Sequence, residues 1–307
     1  MVIEQHRIAD RVSWLAGREK DVTASVAGCL LGVHPYQTAF GLWALKSGRI
    51  QADPEETPEI RRGRLFEDDA LQVLAEDRPS WTVTPANDVY FRDPLARIGA
   101  TPDAYAVDPT RRGRGIIQVK TTSDLAFKRG WLDEEGEVEL PLWIAVQAIV
   151  EAKLTGAAWA AVALLVVGSG LDLRVLDVPI HDGVYARLKD EVAAFWTMVA
   201  SGTEPDPDFG RDAANIGRLY PDDRGTEIDL SRDNRLPTLL AKRRRRLAYV
   251  KAAKAWIGRA DAEVKSKLGP HARGHVPGFR ITWASQPRAG HFVPPSEARV
   301  LRINPSK

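Results

Sequence analysis

The stretch TPDAYAVDPTRRGRGIIQVK, residues 101–120, decides how the rest of the chain reads. Residues 97–108 and 115–122 have the apolar alternation of two strands, and DPTRRGRG between them carries the Asp, Pro and Gly of a turn, so a β-hairpin is expected. A strand's period of two puts Asp103, Tyr105 and Val107 on one face, and Ile116, Gln118 and Lys120 on one face of the partner. With the turn centred near residues 111 and 112, Asp103 lies opposite Lys120. A carboxylate, an amide and an ammonium then converge on one side of a sheet. Such a group can hold a hard divalent cation through oxygen ligands, while the lysine places a water or stabilises charge developing on a phosphate. The ordinary alternative for the pair is a surface salt bridge between Asp103 and Lys120.

Flanking elements follow from periodicity. Residues 60–77 have Phe66, Ala70, Val73 and Leu74 at helical spacing, with Glu67 at the margin of the buried stripe. Residues 141–155 read as a helix, 159–167 as a buried strand, 171–178 as a second strand and 183–200 as an amphipathic helix. Upstream, residues 1–50 suggest short helices around the loop Gly32-Val33-His34-Pro35, with Thr23 or Ser25 as a helix cap, followed by a Pro- and Glu-rich linker at 52–59. Residues 201–237 are acidic and rich in Asp, Pro and Gly, as a long surface connection would be. Beyond them, 238–268 reads as one basic helix and 278–303 as a strand pair containing Trp283, Phe292 and Val300. Three parts are expected: 1–200, the connection 201–237, and 238–307. No internal repeat is visible.

A chain of 307 residues, 44% hydrophobic and 27% charged, can bury a substantial core and is not disordered, collagenous or disulfide-rich. The single cysteine, Cys29, has no partner for an internal disulfide. The start MVIEQHRIAD lacks the basic and apolar runs of a signal peptide, and the apolar stretch 157–167 is shorter than the ~20 residues of a membrane span, so a cytoplasmic protein is expected. Net charge is only +2, yet residues 242–273 hold eleven Lys or Arg against Asp261 and Glu263, a local +9. A field of that sign attracts polyanions whatever the total, although a run such as KRRRR at 242–246 can equally be a solvated helix face. The six histidines show no metal-site spacing and read as surface or turn residues; Trp143, Trp159 and Trp196 lie in apolar contexts and read as core. No Gly-rich phosphate loop is present.

Together TPD at 101–103 and IIQVK at 116–120 resemble the core of the PD-(D/E)xK nuclease superfamily. The similarity widens to its YqaJ-like viral recombinase group, the family of lambda exonuclease. Arg18 and Ser25 in GREKDVTAS, then GVHPYQTAFGLW at 32–43, GRLFEDDA at 63–70 and Gln147 in WIAVQAIVEAKLTGA follow that family's order across roughly residues 11–200. The resemblance implies an α/β fold: a restriction-endonuclease-like core with a central mixed sheet flanked by helices, plus a C-terminal basic helix and strand pair.

Residue by residue, the resemblance implies that Glu67, Asp103, the Gln118 position and the main-chain carbonyl of Val119 surround Mg²⁺, with Mn²⁺ as a substitute. Lys120 would assist the nucleophilic water, Gln147 would support the site, and Arg18 and Ser25 would bind the 5′ phosphate of a DNA end. One departure stands out: the superfamily has Asp or Glu where this chain has Gln118, which keeps a carbonyl oxygen but loses the charge. The implied activity is a Mg²⁺-dependent exonuclease, encoded by a phage or prophage, that resects duplex DNA ends 5′ to 3′ and leaves tails for recombination. Implied partners are DNA ends, a single-strand annealing protein and further copies of the chain in a ring, with no membrane. The alternative is a noncatalytic DNA-end binding protein that recruits the annealing partner.

Overall fold

The computed structural model describes residues 2–51, 56–287, 290, 301 and 303. Contacts divide the chain into two compact units, residues 1–220 and 221–307. The first unit begins with β1 (Glu4–Arg7), α1 (Arg11–Glu19), β2 (Val22–Thr23), α2 (Ala24–Ala27), α3 (Ala39–Lys46) and α4 (Pro58–Asp77). Five strands follow: β3 (Thr82–Pro85), β4 (Val89–Asp93), β5 (Ile98–Ala100), β6 (Ala104–Val107) and β7 (Gly115–Ser123). Then come α5 (Asp124–Gly130), α6 (Leu142–Thr155), β8 (Trp159–Val167), β9 (Leu171–Val178), α7 (Asp182–Ser201) and α8 (Ala213–Leu219). The second unit holds α9 (Leu236–Leu268) and the antiparallel pair β10 (Arg273–Val276) and β11 (Phe279–Thr282).

A five-stranded sheet in the order β3-β6-β7-β8-β9 carries the first unit, with β7 and β8 parallel and the other neighbours antiparallel. This is the mixed sheet flanked by helices that was expected. Strand parity divides its core in two. Ile117, Val119, Ala161, Ala163 and Leu165 pack with Leu71 and Leu74 of α4 on one face. Ile116, Val162, Leu164 and Val166 pack with α6 and α7 on the other. Because β8 is covered on both sides, it reads as a continuous apolar run rather than an alternation.

The hairpin exists, but its register differs from expectation. Ala104 faces Ile117 and Tyr105 faces Ile116, so Asp103 lies opposite Gln118 and not Lys120. The turn sits earlier because Asp108 closes it: its Oδ1 accepts from the Thr110 N–H at 2.9 Å, and its carbonyl accepts from the Arg111 N–H at 3.0 Å. Gly113 continues the turn at φ +76°, and Gly115 opens β7 where a Cβ would stand 2.2 Å from the Trp159 ring. Nor is 97–108 one strand. Pro102, which has no N–H to offer a ladder, separates β5 from β6, and β5 belongs to a second sheet of order β1-β4-β5-β2.

Other boundaries also move. The opening segment contains β1 and β2 besides its helices, and Thr23 stands at the N-cap of α2 without a side-chain cap bond. The expected linker at 52–59 falls partly outside the described residues, and α4 already starts at Pro58 with Thr57 Oγ1 accepting from Ile60 N–H at 3.3 Å. The connection 201–237 is divided, because its first half belongs to the first unit. There the fully buried Asp212 accepts a hydrogen bond from Thr38 Oγ1 at 2.6 Å, and Arg211 donates to the His34 carbonyl at 2.8 Å. The strand pair occupies 273–282 rather than 278–303; Trp283 follows it, and Phe292 and Val300 lie outside the described residues. Among the described residues no helix is long and apolar enough to cross a membrane.

Candidate active site

An open cleft of about 1570 Å³ is lined by β7 of the large sheet and by α4 and α6 beside it. Its lining includes Arg18, Ser25, Glu67, Asp103, Gln118 and Lys120, together with Val119 and Gln147, so all the residues singled out in the sequence converge on it. They arrive by different routes. Asp103 follows Pro102 at the start of β6, Gln118, Val119 and Lys120 come from the middle of β7, and Gln147 comes from α6 on the face that Gln118 shares. Glu67 comes from α4 on the opposite face; it reaches the cleft, where its Oε1 accepts from Asn87 Nδ2 at 3.0 Å.

At the centre, Asp103 Oδ2 accepts the Val119 N–H at 2.7 Å and a bond from Gln118 Nε2. Gln118 Nε2 also donates to the Val119 carbonyl at 3.0 Å. An amide nitrogen, carrying partial positive charge, thus stands between a carboxylate and a carbonyl oxygen. Burial raises the Asp103 pKa; Lys120 opposes that rise and Glu67 adds to it.

Behind Gln118 runs a second line of polar groups that the sequence reading missed. Gln147 Nε2 donates to Gln118 Oε1 at 2.7 Å and to Glu151 Oε1 at 2.9 Å. Glu151, one turn further along α6, is only 1% exposed, and its Oε2 has no hydrogen-bond partner among the described residues. Burial lifts its pKa well above the usual carboxylate range, and the nearby Asp103 charge pushes the same way. The signal was legible as Gln147 and Glu151 at i, i+4 in the otherwise apolar run 142–152. Arg62 was also missed. It lines the cleft, donates to the Thr121 carbonyl at 3.4 Å, and its Nε is buried without a partner among the described residues.

Arg18 and Ser25 form a separate corner. Asp10 caps α1 by accepting from the Ser13 N–H at 2.7 Å, which sets Arg18 in the last turn above Trp14, with its Cζ 4.3 Å from that ring's centroid. Arg18 Nη2 donates to Ser25 Oγ at 3.1 Å and Thr23 Oγ1 at 3.4 Å. The guanidinium's side-chain bonds go to hydroxyls rather than to a carboxylate, leaving its charge available to an anion. Lys46 lies against the same turn, donating to the Arg18 carbonyl at 2.7 Å, and burial pushes its pKa down to about 8.

Two sequence assignments change. His34 is buried, not a surface residue: Nδ1 accepts from the N–H groups of Tyr36 and Gln37 at 3.1 and 2.9 Å, so Nε2 carries the proton toward the Ser25 carbonyl at 3.1 Å. Burial holds its pKa below the ordinary histidine value. Trp159 and Trp196 are core residues as expected, but Trp143 is half-buried and lines the cleft with Lys120 Nζ 5.9 Å from its ring.

Among the described residues no three His, Cys, Asp or Glu side chains form a ready-made metal cage. The oxygens that do converge are hard donors: the Asp103 carboxylate and the Val119 carbonyl, both bonded to Gln118 Nε2, with Glu67 in the same cleft, while the Gln118 amide oxygen faces Gln147. That set fits Mg²⁺ better than a softer metal, since Mg²⁺ takes one or two carboxylates and completes its shell with water and phosphate oxygens.

With this geometry in view, the class of the domain follows. Residues 13–158 match the YqaJ-like viral recombinase domain. The YqaJ protein of Bacillus subtilis (strain 168), itself described only as uncharacterized, is 28% identical over 134 residues. That match covers 44% of this chain and 40% of the Bacillus protein. Among solved structures, the chain is similar to the alkaline exonuclease LHK-Exo of Laribacter hongkongensis, with 19% identity, a TM-score of 0.47, and 67% of this chain and 99% of that one covered. It is also similar to a phage-related exonuclease of Haemophilus somnus 129PT, with 13% identity, a TM-score of 0.44, and coverage of 59% and 94%.

Proposed function

We propose that this protein is a Mg²⁺-dependent deoxyribonuclease that works inward from a duplex end, 5′ to 3′, and leaves a single-stranded 3′ tail for annealing or recombination. The observation that carries the reading is the sharing of one cleft by a cationic corner, Arg18 with Ser25, and a centre where the Asp103 carboxylate and the Val119 carbonyl meet beside Lys120. The family match supports it. Double-stranded DNA ends are the substrate. A single-strand annealing protein and a ring of identical subunits are the partners that such resection would use.

Glu67, Asp103, the Val119 carbonyl and Gln118 Oε1 would hold the metal, which would supply electrostatic stabilisation of negative charge on the phosphodiester. For Gln118 to offer oxygen, its amide must turn over, exchanging the nitrogen that now faces Asp103 for Oε1. Lys120 Nζ stabilises charge on the phosphate and orients the attacking water. Arg18 and Ser25 hold the 5′ phosphate, so that the strand enters from its 5′ end. Sequence selectivity is not expected of groups that address phosphates.

A second reading has an observation of its own. Gln118 Nε2 already satisfies the Asp103 and Val119 oxygens that a cation would need, which suits a protein that grips DNA ends without cutting them. Nucleotide release from linear duplex, measured with and without Mg²⁺, separates the two. Release only with Mg²⁺, and faster from 5′-phosphorylated ends, is the expected result; tight end binding with no release over a full Mg²⁺ titration overturns the nuclease.

A further inference from the structure

Three rings meet at the mouth of the cleft. The centroids of His34 and Trp143 are 4.9 Å apart, and Tyr36 stands edge-on to Trp143 at 6.1 Å and 81°. Trp143 thus sits between His34, which is bonded to the Ser25 carbonyl, and the Lys120 ammonium. Tyr36 is 84% exposed and adds little to any core. Its place is nonetheless set, because its N–H is bound to His34 Nδ1 and Pro35 before it limits the backbone. Trp143 is braced from behind at Gly28, where a Cβ would come within 3.2 Å of the Trp143 Cβ. The result is an aromatic shelf, fixed at its base and exposed at Tyr36, in the cleft that Arg18, Ser25 and Lys120 also line.

We propose that Tyr36 and Trp143 form a stacking subsite for an unpaired nucleobase of the strand whose phosphates meet Arg18, Ser25 and Lys120. The inference rests on the nucleic-acid reading above. Every base has a π-face, so such a subsite is tolerant of sequence. A base inside the duplex is already stacked on both sides and cannot use the shelf, whereas a frayed terminal base can. Stacking there favours an opened end over a closed one. His34, bonded at both ring nitrogens, is a positioning residue that fixes Tyr36.

The test uses the full chain in EDTA at low salt, with a 5′-phosphorylated duplex that carries 2-aminopurine either at the 5′-terminal position or ten pairs inside. Anisotropy reports binding and 2-aminopurine fluorescence reports stacking. The wild-type protein should quench the terminal probe and leave the internal one unchanged. Tyr36→Ala should restore the terminal signal and weaken binding to ends with three unpaired nucleotides by about five- to a hundredfold, the range for removal of one base–aromatic stack. Tyr36→Phe should retain both, and Trp143→Leu should behave like Tyr36→Ala. Binding without terminal quenching by the wild type overturns the subsite alone, and that measurement decides the matter even where a variant fails to fold. No anisotropy change with any DNA overturns the nucleic-acid reading and the subsite together.

Discussion

Asp103 lines the cleft, and because burial raises its pKa its ionised form costs the fold stability, which offsets the hydrogen bonds it accepts from Val119 and Gln118. Asp103→Ala should therefore cut Mg²⁺-dependent release by about a thousandfold or more while leaving the melting temperature nearly unchanged. Lys120→Ala should lower kcat by about 10²–10³-fold and spare DNA affinity, because its work belongs to the transition state; equal losses in both would make it a plain phosphate ligand. Gln118→Glu adds a charge where oxygens already converge, and activity should hold or rise, most clearly at low Mg²⁺. If that variant stays inert, melts lower and gains nothing from Mg²⁺, the end-binding reading is favoured. Glu151 makes a pH prediction. Its carboxyl is raised in the fold and ordinary in the unfolded chain, so its effect on stability becomes adverse as pH rises from the usual glutamate value toward the folded one. In chelator, Glu151→Gln should melt above the wild type at pH 8, with the gap closing toward pH 4.5, where the ordinary glutamate titrates. Thermal melts at several pH values that run parallel would refute this.

Among the elements, α1 and α2 decide the corner proposed to hold the 5′ phosphate. The α1 cap and the Trp14 ring aim Arg18 at Ser25, and a guanidinium can favour a phosphorylated end only by touching that phosphate. Arg18→Ala should erase the preference for a 5′-phosphate over a 5′-hydroxyl end, a ratio of about ten- to a hundredfold for charge-assisted bonds. Competing rates on the two ends give the answer, and an unchanged ratio would move the sensor elsewhere. The periodic elements of the large sheet and its helices were legible from sequence because apolar spacing reports burial directly. The hairpin register was not, since Asp108's local bonds rather than the turn's length place the crossing, and they put Gln118 where Lys120 was expected.

Across the whole molecule, charge is segregated by unit, and α9 carries the KRRRR run with those five residues exposed. Replacing residues 242–246 by glutamine keeps good helix formers in place while removing five charges. If these side chains meet DNA phosphates, affinity should fall, and the slope of log K against log salt should flatten by roughly one for each phosphate no longer neutralised. An unaltered slope would mean that the run faces solvent or another subunit.

By itself the sequence determined the mixed α/β architecture and the basic helix, because periodicity is a property of the chain alone, and its ordered motifs, through the resemblance they carry, singled out Glu67, Asp103, Gln118, Val119, Lys120, Arg18, Ser25 and Gln147 as candidates. It also carried the substitution of glutamine for an acid, on which the choice between cutting and gripping turns. Only the tertiary structure decided that Gln118 is tied to Glu151 through Gln147, that His34 is buried, and that Tyr36 and Trp143 share a shelf. These pairings join residues up to 107 positions apart in the case of Tyr36 and Trp143. They depend on how α6 packs against β7 and α2, and no local pattern encodes that crossing.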